Sequence, residues 1–135
     1  MAMRLAPREI QPKAPPVKAK SYLAWLHDLP CVISGRRPVE AAHVNFANPA
    51  LGAMGRGKGQ KASDRWALPL HPDLHRAQHD FGDERRWWEL QGINPHQIGL
   101  ILWGLWKERG ADATPQAERI ILSRAFTKEI PNADR

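Results

Sequence analysis

His75 and His79 stand four residues apart, so on a helix their imidazoles project from one face, one turn from each other, and can share a metal ion. Pro72 at a first helical position, with Asp73 beside it, predicts that a helix does begin just upstream of the pair. A further imidazole, His43, ends the short apolar run Val39–Val44, which reads as a strand. Asp64 precedes a second apolar run, Trp66–Leu70. Two imidazoles on a helix, a third on a strand and a nearby carboxylate are the equipment of metal-assisted hydrolysis. One nitrogen set holds the ion and another moves the proton.

The elements that must position these groups are legible as local patterns. Tyr22, Leu23, Leu26 and Leu29 fall at helical spacing, with Ser21 as the expected N-cap and Pro30 as the stop. A turn is expected at Ser34-Gly35. The first strand covers about 39–44, and residues 45–63 form a long glycine-bearing loop. The second strand covers about 66–70 and lies at an edge or ends at Pro69, which has no amide proton to donate. The paired-histidine helix spans 72–81 and stops at Gly82, and Asp83 caps the next helix, through Trp87, Trp88 and Leu90 to Gln91. Asn94-Pro95 opens a third, with Ile98, Ile101, Leu102, Leu105 and Trp106 turned inward, and Gly110 closes it. Thr114-Pro115 opens a fourth, with Ile120, Ile121 and Phe126 as its inward residues. The predicted class is α+β: a small hairpin-plus-helix core surrounded by additional helices. The Trp87-Trp88 pair is read as core.

With 135 residues the chain has room for one domain, expected over 20–130, preceded by a basic proline-rich arm over 1–19. Formal net charge is +6, and it is unevenly placed. Residues 1–20 carry Arg4, Arg8, Lys13, Lys18 and Lys20, and residues 55–65 carry Arg56, Lys58, Lys61 and Arg65. Two local basic segments suit a nucleic-acid backbone, so Arg56, Lys58, Lys61 and Arg65 are the candidate DNA contacts, with a merely flexible connector as the competing reading. Cys31 is the single cysteine, which excludes an intramolecular disulfide. No apolar run is long enough to span a bilayer, and the start lacks a signal peptide's apolar centre. A cytoplasmic protein of a bacterial host cell, without a membrane partner, is expected.

Three stretches taken together resemble a known family. They are L-P-C-V-I-S-G-R-R-P-V-E-A-A-H-V, then G-R-G-K-G-Q-K-A-S-D-R-W-A-L-P-L-H-P-D-L-H-R-A-Q-H, then G-D-E-R-R-W-W-E-L-Q-G-I. In order and spacing, over about residues 22–98, they are similar to the HNH, or ββα-metal, endonucleases. Within that family they look most like phage and prophage proteins related to the recombination enhancement function (Ref) nuclease. The resemblance implies a DNA endonuclease that leaves 5′-phosphate and 3′-hydroxyl ends. It makes His43 the general base, His75 and His79 the helix-borne metal ligands, and Asp64 either a further ligand or the group that orients His43. The implied cofactor is one divalent ion, Mg²⁺ or Mn²⁺, or Zn²⁺ or Ni²⁺. The implied partners are DNA, held mainly through its phosphates, and a recombination protein.

The chain also departs from that pattern. Where many HNH proteins hold a structural zinc with two C-x-x-C pairs, this one reads Cys31-Val32-Ile33-Ser34 and His71-Pro72-Asp73-Leu74. Two capable ligands are too few for a closed tetrahedral site, so no structural zinc is expected, with packing by nearby tryptophans and Leu74 in its place. In a competing reading His71 joins the catalytic site, or another residue completes a zinc site. Several relatives read A-H-H where this chain has Ala42-His43-Val44, so His43 matches either the base or a ligand. Two other classes stay open: a non-catalytic DNA-binding accessory protein on the same scaffold, and a zinc-stabilised protein-interaction domain.

Overall fold

The computed structural model describes residues 18–55 and 62–133. Most of the expected basic arm, 1–17, lies outside these described residues, as do Arg56, Lys58 and Lys61 of the expected DNA-contacting loop. The fold is α+β, with a two-stranded antiparallel sheet among helices.

Helix α1 (Lys20–Leu26) starts at Ala19, whose side chain has no capping atom, so the expected Ser21 cap is corrected to a position inside the first turn. Tyr22 and Leu26 are fully buried, as their helical spacing requires, and Leu23 is half-buried; the helix stops at Leu26 rather than at Pro30, so Leu29 is buried from the turn that follows it. Strand β1 (Glu40–His43) pairs with β2 (Ala67–Leu70); β1 is one residue shorter at each end than the run that announces it, and β2 one residue shorter at its start. The register sets Glu40 opposite Leu70 and His43 opposite Ala67. Every residue of β2 is buried, because α1 and a later helix both pack on it. Pro69 lacks a donor, but its carbonyl accepts the Val32 amide at 3.0 Å, so the strand still ties the Cys31 turn to the sheet.

Helix α2 (Pro72–Phe81) runs over the expected span. Pro72 occupies its first turn, and Gly82 ends it at φ +85°, a left-handed conformation that glycine adopts without a steric penalty. Its N-cap is His71, whose Nδ1 accepts the Asp73 amide. In α3 (Glu84–Gln91) the Asp83 carboxylate accepts the Arg86 amide, and in α4 (Pro95–Arg109) the Asn94 side chain accepts the amides of His96 and Gln97. These are the caps that the sequence announces. Helix α5 (Thr114–Ala133) follows a short 3-10 segment at Gly110–Ala113.

The core is centred on Trp88, Leu68, Leu70, Ile98, Leu102 and Ile121. Trp87 joins it, as expected of the tryptophan pair. Helix α1 meets α4 through aromatic rings: Tyr22 packs edge-on to Trp103 at 4.9 Å, and Trp25 lies 5.3 Å from Trp106. The Trp25 indole donates to Thr114 Oγ1 at 2.8 Å, fastening α1 to the start of α5. Ile120 is only half-buried, so Ile121 carries more of the packing on that helix.

Candidate functional site

The antiparallel register decides which side chains meet. His43, at the end of β1, lies opposite Ala67 and so beside the 3-10 turn Asp64–Trp66 that leads into β2. His43 Nε2 lies 2.8 Å from Asp64 Oδ1, and the Ala19 amide donates to Asp64 Oδ2 at 2.6 Å. Both carboxylate oxygens are thus engaged by the protein, the geometry of an orienting group. A carboxylate accepts, so Nε2 carries the hydrogen and Nδ1 is the nitrogen with a lone pair to offer. The two side chains are 21% and 16% exposed, sheltered but within reach of solvent.

At the other end of β1, Glu40 lies opposite Leu70, one residue before the His71 cap, so it stands where α2 begins. Its Oε1 is 2.8 Å from His75 Nδ1. That pairing leaves Nε2 of His75 as the nitrogen able to bind a ligand. The His75 and His79 rings are 5.6 Å apart, edge to face, as the four-residue spacing predicts. Helix α2 packs against β1. The structure therefore makes two imidazole–carboxylate pairs, one at each end of a four-residue strand. At about 3.4 Å per residue, their strand positions are roughly 10 Å apart. Among the described residues no three His, Cys, Asp or Glu side chains form a metal-holding group.

Glu40 has no role in the sequence reading, although it sits in the same E-A-A-H run as His43. Its signal is an acid at the start of a strand whose partner runs directly into the histidine helix. The Ala19 amide carries no sequence signal, since any residue except proline offers one.

The remaining candidates take other positions. Arg65 turns inward: its guanidinium lies 4.7 Å from the Trp66 ring centroid, and its Nε is buried. Burial holds the Tyr22 phenol well above its ordinary range, and the nearby Arg65 charge opposes this only in part. Cys31 is buried, and its Sγ accepts the amides of Ile33 at 3.4 Å and Ser34 at 3.5 Å. His71 uses Nδ1 for the helix cap, and Leu74 packs against the core.

No helix among the described residues is long and apolar enough to cross a membrane. No curated protein and no solved structure matches the chain at a significant level. A family model described as "Protein of unknown function (DUF968)" matches residues 9–102, which include both imidazole–carboxylate pairs and His79. That span is well over half of the sequence, and the chain belongs to the DUF968 family.

Proposed function

We propose that this chain is a divalent-metal-dependent DNA endonuclease of the HNH type, acting in phage recombination or DNA processing, with His43 as general base. The observation that carries the reading is the 2.8 Å contact between His43 Nε2 and Asp64 Oδ1, on a strand against which the His75 and His79 helix packs. Asp64 accepts the Nε2 hydrogen, so Nδ1 takes the proton of the attacking water, and the carboxylate then offsets the charge of the imidazolium. Ala19 holds the other carboxylate oxygen and keeps Asp64 from turning away.

His75 and His79 would hold the ion. Two imidazoles favour a borderline ion such as Zn²⁺, Mn²⁺ or Ni²⁺, whereas Mg²⁺ prefers oxygen ligands and would lean on Asp64, water and phosphate. When bound, it would supply Lewis-acid stabilisation of the charge that develops on the phosphate. Glu40 accepts the Nδ1 hydrogen of His75 and leaves Nε2 as the ligating nitrogen.

The deciding experiment is plasmid nicking across a series of Mg²⁺, Mn²⁺, Ni²⁺ and Zn²⁺, with wild type beside His43→Ala and His79→Ala. Metal-dependent nicking by wild type alone supports the reading; nicking that survives in both variants sinks it. The alternative reading is a non-catalytic DNA-binding accessory protein on the same scaffold. It predicts salt-sensitive DNA binding with no cleavage by any of the four ions.

A further inference from the structure

The ladder between β1 and β2 runs one residue past His43, where the Val44 amide donates to the Trp66 carbonyl at 3.2 Å. The next amide, of Asn45, leaves the sheet and donates to the carboxylate of Glu84, 3.2 Å from each of its oxygens. Asn45 in turn reaches back: its Nδ2 donates to the His43 carbonyl at 3.3 Å. One residue further on, the Phe46 carbonyl accepts from His96 Nε2 at 2.9 Å. The backbone that leaves His43 is therefore held by the first turns of α3 and α4, far from it in sequence.

A part-buried amide needs an acceptor, and any carbonyl or water supplies one. A carboxylate does more, because a charged acceptor holds an amide more strongly than a neutral one. Glu84 also occupies the first turn of α3, where the helix dipole favours a negative charge. The carboxylate is thus a firm anchor, and Asn45 carries its position to the His43 backbone. Asp64, the other half of the pair, is held independently by the Ala19 amide at 2.6 Å. With its halves moored to separate elements, the 2.8 Å contact between His43 Nε2 and Asp64 Oδ1 depends on both moorings.

We infer that Glu84 is a positioning residue for His43. Through the Asn45 amide it sets where the imidazole stands against Asp64, and so which ring nitrogen keeps the hydrogen. Its importance for cleavage rests on the nuclease reading; its hold on the imidazole does not.

The test compares Glu84→Gln, Glu84→Asp and Glu84→Ala in the ¹⁵N-labelled full chain. Glu84→Gln keeps the reach and one acceptor oxygen but loses the charge. Glu84→Asp keeps the charge at the helix start but is one methylene too short for the Asn45 amide. A long-range ¹H–¹⁵N spectrum without metal, above the imidazole titration range, reads the tautomer of His43, assigned by its loss in His43→Ala. Wild type and Glu84→Gln are expected to show the Nε2–H form, and Glu84→Asp and Glu84→Ala a mixture of both tautomers. Nicking with saturating Mn²⁺ is expected to follow the same order. In Glu84→Asp kcat falls by roughly tenfold or more with KM unchanged, and in Glu84→Gln it stays within about threefold of wild type.

A role confined to stabilising α3 predicts the reverse order, since a negative charge suits a helix start and a neutral amide lacks it; that order overturns the inference. A His43 that stays in the Nε2–H form in Glu84→Asp overturns it too, as does cleavage lost with the tautomer unchanged. If Glu84→Ala does not fold, the Gln and Asp variants decide. A wild type that nicks with no ion ends the nuclease reading, and the order of tautomers then decides the inference by itself.

Discussion

Glu40 Oε1 lies 2.8 Å from His75 Nδ1, so the first residue of β1 reaches across to the helix that follows β2. If His75 is a ligand, Glu40 sets its tautomer and the direction of Nε2. Glu40→Ala is expected to lower Mn²⁺ affinity by roughly tenfold or more without unfolding the chain, because the Glu40 side chain is half exposed. Isothermal titration against wild type measures this. Unchanged affinity removes Glu40 from the site.

Asp64→Asn keeps the shape of the side chain and removes its charge. With the imidazolium no longer offset and the Nε2 hydrogen no longer demanded, nicking is expected to fall by about 100-fold or more. The far-ultraviolet circular dichroism should stay as in wild type. A mutant with full activity means that His43 does not depend on this carboxylate.

Two glycines in α4 are expected to respond in opposite directions. A Cβ on Gly104 meets nothing within 4 Å, so Gly104→Ala gains helix propensity and stabilises by about 1 kcal/mol. A Cβ on Gly99 would stand 3.2 Å from the Trp66 ring, which is itself wedged against Arg65 and His96. A pinned ring cannot yield, so overpacking outweighs the propensity gain and Gly99→Ala destabilises by about 1 kcal/mol net. Urea midpoints of the two variants against wild type test the contrast.

His96 couples stability to pH. Burial lowers its titration range in the folded state, opposed by its bond to Phe46 and aided by the Arg85 charge. The folded chain therefore binds fewer protons at this site than the unfolded chain. Its contribution is present above the unfolded value, near 6.5, and is lost as pH falls from there through the lower folded value. Wild type is expected to lose more stability than His96→Gln between neutral and mildly acidic pH. Parallel losses in the two proteins would mean that His96 does not titrate across this range.

Much of the architecture was legible because its signals are local. Pro72 with Gly82, Asp83, and Asn94 with Pro95 mark helix ends through contacts no more than a few residues long, and the structure uses them at those places. Ser21 misled because a cap belongs to whichever residue the tertiary contacts put at the helix start. Here the Ala19 amide is fixed by Asp64, 45 residues away. His71 carries a cap role rarely assigned to an imidazole. The pairing of Asp64 with His43 was one of two readings open at the sequence level. That of Glu40 with His75 was not visible at all, because it depends on the register that sets Glu40 opposite Leu70. Periodicity predicts which residues face inward on one element; it does not say which residue of another element they meet.

The Ala19–Asp64 hydrogen bond has a mechanical consequence. The Ala19 amide is moored to the carboxylate that steadies His43, so a pull on the backbone at Ala19 is felt first at the imidazole.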